Sequence, residues 1–180
     1  MVSRPTNLEI DWKYTYLIPR SCTQDVNLRN FQFKILHRTL CTNTLLYKFG
    51  MNGNKKCTFC NYEDEDLYHL LWQCYYANII WRKFSDLLQV KCNIGYKIDK
   101  MDAMFGCRIN NNNNLLNCCF LIIRRYIYIC RCNSSLPSIA GMISFLKRNR
   151  EIEINSYRYF SSNKIPEIIQ KWQPMDNLLK

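Results

Sequence analysis

The stretch Cys57-Thr58-Phe59-Cys60, followed by His69-Leu70-Leu71-Trp72-Gln73-Cys74, decides how this chain is read. As a pattern it is C-x2-C-x8-H-x4-C. Two cysteines separated by two residues can turn both sulfurs inward from one tight turn. A third thiolate and an imidazole then complete a tetrahedron around zinc. Four protein ligands leave no position for a reacting water, so the pattern points to a structural metal and away from a zinc hydrolase. Cys57, Cys60, His69 and Cys74 are therefore the candidate Zn2+ ligands. Lys55 and Lys56 precede the first cysteine, where nearby cations favour thiolates.

The spacing also constrains the backbone. On one continuous α-helix, residues five apart point about 140° from each other. His69 and Cys74 cannot grip one ion that way. A helix capped near Asp64 is thus expected to break or unwind around Leu71 to Gln73, with Cys74 starting the next helix. Asp64 to Asp66 suit the first turn of a helix, where the dipole favours acids.

Charge is distributed unevenly around this stretch. Residues 57–75 carry no basic side chain and four consecutive acids, Glu63 to Asp66. Residues 1–56 carry nine basic and three acidic side chains, and residues 107–180 eleven and four; the whole chain is +11. Two basic flanks around an acidic insert point to a polyanionic partner, RNA or DNA ahead of a membrane surface. Candidate phosphate contacts are Arg29, Lys34, Arg38, Lys55, Lys56, Arg124, Arg125, Arg131, Lys147, Arg148 and Arg150; the ordinary alternative for each is a solvated helix face. His37, beside Arg38, suits packing or a phosphate contact. Trp12, Tyr14 and Tyr16 could stack on bases, but core burial is the better reading, as it is for Trp72, Tyr75 and Phe84.

At 180 residues the chain suits one domain or two small lobes and is too short for a multidomain polymerase. With 48% hydrophobic and 22% charged residues, the composition is that of a globular protein. Eleven cysteines without an N-terminal leader pattern argue against a secreted disulfide scaffold. An intracellular, reducing setting, the nucleus included, is the expectation. Cys22, Cys41, Cys92, Cys107, Cys118, Cys119, Cys130 and Cys132 form no second ligand quartet and read as small buried hydrophobes. Leu115 to Ile123 is apolar but interrupted by Asn117 and stopped by Arg124, far short of the roughly 20 residues that span a bilayer. No membrane partner is expected.

Hydrophobic spacing predicts helices over Val26 to Cys41, Leu45 to Phe49, Cys74 to Leu88, Leu115 to Cys132 and Ser138 to Arg150. The last is expected to end in its Lys147–Arg150 cations, which suit a helix C-terminus. Leu8 to Leu17 is ambiguous between helix and strand, with Pro19 ending it. Residues 89–106 read as a strand or irregular loop, Asn110 to Asn114 as a loop, and the tail as one short helix that frays. The fold class is mainly α: a small helical domain organised around a CCHC zinc knuckle, followed by a C-terminal helical segment. The boundaries are 1–90, a linker at 91–114 with the Asn-rich loop, and a basic helical region at 115–180.

Trp12 to Pro19, Phe31 to Arg38, Thr42-Asn43-Thr44, Cys57 to Cys60, and His69 to Cys74 with Trp81 together resemble the reverse transcriptase zinc-binding domain. That domain lies C-terminal to the polymerase in non-LTR, LINE-like retrotransposon proteins. Leu121 to Cys130 and Lys171-Trp172 also look like the C-terminal ends of such proteins. The resemblance implies a zinc-stabilised helical module that helps a polymerase, in cis or in trans, hold RNA template or target DNA. It assigns the ligands to Cys57, Cys60, His69 and Cys74. No paired-aspartate polymerase motif and no upstream endonuclease accompany it, so the expectation is a fragment or decayed copy of an element. The chain is read as a nucleic-acid-binding accessory module, not an enzyme, with no small-molecule substrate. Two alternatives stand beside it: a zinc-ordered protein-interaction module docking through Glu63 to Asp66, and a non-functional remnant.

Overall fold

The computed structural model describes residues 10–107 and 113–180, and these are mainly helical, with no strand among them. The Asn-rich loop falls largely outside the described residues. Asp11 opens α1 (Trp12–Cys22) by accepting the Tyr14 amide at 3.0 Å. The segment is helical and continues through Pro19, which the sequence reading used as its end. Proline forfeits one backbone bond inside a helix, but here its ring is buried together with Ile18 and Cys22, on a helix packed against α6. Asp25 caps α2 (Val26–Leu36), which stops five residues before the expected Cys41. His37 and Arg38 close it: the Arg38 amide donates to Ile35 O and the Thr39 amide to Lys34 O. These two bonds form a Schellman end, with Arg38 in the left-handed region at φ 55°.

Thr42 caps α3 (Asn43–Lys48), and Gly50, at φ 69°, follows its end as expected. Next comes α4 (Tyr75–Cys92), one turn longer than its apolar pattern suggested. The region read as strand or loop holds α5 (Lys100–Phe105), set by a reciprocal capping box between Asp99 and Asp102. After α6 (Asn113–Cys132), Ser138 caps α7 (Ile139–Phe160). This helix runs ten residues beyond Arg150, so the Lys147–Arg150 cations lie in its middle rather than at its end. The tail does not fray. It forms α8 (Ile165–Trp172) and α9 (Asp176–Leu179), whose Trp172, Met175, Leu178 and Leu179 are buried.

The core centres on α6. Every residue from Leu115 to Arg124 is buried, so this helix is apolar nearly all round, the pattern of an interior helix. It packs against α1, α2, α5, α7, α8 and the His69–Gln73 turn. One continuous apolar cluster joins Ile18, Phe31 and Leu70 from the first half to Phe120, Met142 and Trp172 from the second. No core boundary falls near residue 91. Polar groups inside this core are tied down: Asn117 clamps Cys107 by accepting its amide at 2.8 Å and donating to its carbonyl at 3.1 Å. Gly106, at φ 91°, is required there, because a Cβ would stand 2.7 Å from Asn117 Oδ1. No helix among the described residues is long and apolar enough to cross a membrane.

Candidate metal centre

The knuckle grows from a short hairpin. The Cys57 amide donates to Glu63 O at 2.8 Å and the Glu65 amide to Lys55 O at 2.8 Å. Between them the chain reverses over Thr58 to Asn61, with Asn61 left-handed at φ 54° and its amide on Cys57 O. This turn aims both sulfurs to one side. The opposite half comes from a widened helical turn, His69–Gln73. There the Cys74 amide donates to His69 O at 2.7 Å, an i→i+5 bond that stacks residue 74 over residue 69. Cys74 then takes an extended ψ of 130° and α4 starts at Tyr75. The expected unwinding before Cys74 is thus a π-type turn. Asp66 caps it, accepting the His69 amide at 2.7 Å, and Trp81 Nε1 donates to Leu71 O at 2.7 Å.

The four side chains converge: the ligand atoms of Cys57, Cys60, His69 and Cys74 lie within 4.8 Å of one another. Cys57 and Cys74 sulfurs are 3.8 Å apart, and Cys60 Sγ is 3.4 Å from His69 Nε2. Zinc–sulfur bonds of about 2.3 Å and zinc–nitrogen bonds of about 2.0 Å give tetrahedral edges of roughly 3.8 Å and 3.6 Å. These two edges match such an ion, and all four ligand atoms are close enough together to surround one. The hydrogen bond between Cys57 and Cys74 lowers the Cys74 thiol, and the same bond, with burial, raises Cys57. Amides of Phe59 and Cys60 face Cys57, and those of Tyr76 and Ala77 face Cys74, each favouring thiolate. The lysines do not do this work. Lys56 pairs with Asp64 at 3.2 Å and Lys55 lies over the Tyr47 ring at 4.6 Å.

A residue that the sequence did not single out holds this knuckle to the body of the protein. Glu65 is completely buried. One carboxylate oxygen accepts Arg131 Nε at 2.8 Å and the Asn43 amide at 3.0 Å; the other accepts the Thr58 amide, inside the first ligand pair, at 2.8 Å. Arg131 also reaches Asn43 Oδ1 at 2.7 Å. Burial lowers the Arg131 guanidinium, but Glu65, with Tyr128 and Cys132, reverses this and the net shift is upward. Arg131, read as a phosphate contact, is therefore the knuckle's largely enclosed counterion.

The other cations separate by position. Arg124 is fully buried and donates to Asp102 O and Ala103 O; burial pushes it down to about 10. No polyanion reaches it there, and Leu121–Ile123 before it carried the signal, since a cation inside an apolar run belongs to the core. Arg29 bonds Thr23 O and Gln24, Arg125 bonds Asn27 O, Arg150 pairs with Asp176, and Lys147 bonds Lys180 O. Lys34, Arg38 and Arg148 are exposed. His37 is exposed against Phe33, with ring centroids 4.0 Å apart. Trp12, Tyr16 and Tyr75 are exposed, contrary to the core reading, while Phe84 is buried. Among the remaining cysteines, Cys41 and Cys132 are exposed, Cys92 is half-buried and the others are buried. No second metal-type cluster occurs among the described residues.

The acidic insert is not one open face: Glu65 is internal, Asp64 is paired and Asp66 caps a turn. Residues 6–81 match the family model described as zinc-binding in reverse transcriptase, which bears out the resemblance drawn from Trp12 to Trp81 and takes in all four ligands. Neither a curated protein nor a solved structure matches the chain.

Proposed function

We propose that this chain is a zinc-folded accessory module that binds RNA or DNA through its basic surface, of the kind that serves a non-LTR retrotransposon polymerase in cis or in trans. The observation that carries the reading is the closed Cys3His centre within a stretch matching the reverse transcriptase zinc-binding family, on a chain of net charge +11. Zinc is the metal of the reading because three thiolates and an imidazole at tetrahedral spacing suit it. All four positions are taken by protein, so the metal's role is structural and the module is not an enzyme. A protein-docking role through Glu63 to Asp66 is the weaker reading, since Glu65 is buried, Asp64 is paired with Lys56 and Asp66 holds the His69 amide, which leaves Glu63 as the one acid of the four without such a tie.

Two measurements test it. Elemental analysis of the purified chain should find one zinc per molecule. Oligonucleotide affinity should fall steeply with salt, because phosphate contacts release counterions. A folded chain without metal removes the first half of the reading, and affinity indifferent to salt removes the second.

A further inference from the structure

A groove of about 670 Å³ runs between the start of α1, the ends of α2 and α3, α5 and the Asp66–Tyr68 turn that leads into the metal centre. Its floor is apolar, with Ile35, Leu40 and Met104 buried beneath it. Its rim carries three exposed cations from three separate elements: Arg38, Lys48 and Lys100. None of them pairs with a carboxylate among the described residues. The one acid lining the groove, Asp66, already accepts the His69 amide. Trp12 and Tyr68 line it as well, at 49% and 36% exposure.

Arg38 adds an independent observation. It occupies the left-handed position at the end of α2, where glycine is the default because a Cβ is strained there. The left-handed turn closes α2, a task glycine would do without strain, and the arginine in its place adds a cation on the groove's edge. Strained backbone positions cluster at binding sites.

We propose that this groove takes single-stranded nucleic acid, with bases stacked on Trp12 and Tyr68 and phosphates held by Arg38, Lys48 and Lys100. The proposal rests on the nucleic-acid reading above and gives it a face. Rings beside an unpaired cationic rim are the chemistry that grips single strands irrespective of sequence. An acidic peptide would also answer the charge, but it would leave the exposed rings unused and finds no strand edge here to pair with among the described residues.

Fluorescence anisotropy of labelled oligo(dT) on the zinc-loaded full chain tests this. Combining Arg38→Gly, Lys48→Gln and Lys100→Gln should flatten the salt dependence, each lost phosphate contact removing about 0.7 from the slope of log K against log salt. Trp12→Ala or Tyr68→Ala should weaken binding by about fivefold to a hundredfold. Arg38→Gly alone guards against misfolding, since it relaxes the backbone: its Tm should hold or rise while affinity falls. Wild-type binding with unchanged affinity and slope in the triple variant overturns the groove and leaves the nucleic-acid reading standing. Loss of a Glu-rich peptide alone, with oligo(dT) unaffected, overturns it in favour of a protein partner. A wild-type chain that ignores oligo(dT) at low salt overturns both.

Discussion

Between Leu115 and Ile127, α6 buries nearly every side chain in apolar surroundings, whereas between Lys55 and Asp66 only Cys57, Phe59 and Glu65 are buried. The first region follows from hydrophobic burial, which is non-directional and proportional to area. The second has too little apolar surface for that and relies on directional bonds: amides to carbonyls, amides to sulfur, ligand atoms to an ion. One region therefore tolerates changes that conserve volume, and the other does not tolerate changes of ligand chemistry. The Glu65–Arg131 pair is where they meet, a carboxylate from the hairpin and a guanidinium from the last turn of α6.

The sharpest way to break that contrast is to remove a ligand. Cys60→Ser or His69→Ala should abolish the zinc seen by elemental analysis and forfeit on the order of 10 kcal/mol of local folding energy. Hydrogen exchange should then show amides of residues 55–74 losing protection while α6 keeps its own. Equal loss in both regions would mean they are one unit. Acid should act in the same direction, since protons compete with the ion for thiolate and imidazole.

Next in size is the joint. Arg131→Met leaves Glu65 buried without its counterion and should cost about 3–5 kcal/mol in urea unfolding. Adding Glu65→Gln should recover part of that loss, a non-additivity that independent sites would lack. Inside the apolar region, Gly106→Ala should cost about 1–3 kcal/mol by pushing on Asn117 and straining a positive φ. The smallest change is a gain: Arg38→Gly should add about 1 kcal/mol, read as a raised Tm, by relieving a left-handed arginine.

The two regions were also unequally legible in the sequence. The ligand quartet and α6 are plain there, the first from spacing and the second from an apolar run interrupted only by Asn117. Glu65 was not, because four consecutive acids look alike until the hairpin turns one of them inward. Six residues are too few for α5 to display a helical period. Pro19 looked like a stop because local chemistry says so; burial against α6 overrode it. Trp12 and Tyr16 look like core residues because aromatic rings usually are, and no local pattern says which ring will stay exposed.

The 66 residues separating Glu65 from Arg131 also set an order of events during synthesis. All four ligand positions have been made once residue 74 is added, so the knuckle can close on its ion early. Its carboxylate then waits for a counterion that arrives several seconds later, at the roughly 5–20 residues per second of translation. A nascent chain stalled before Arg131 should accordingly hold zinc with its hairpin undocked, and one stalled well beyond it should not. The expected order is metal capture first and tertiary attachment second, set by where the guanidinium lies along the chain.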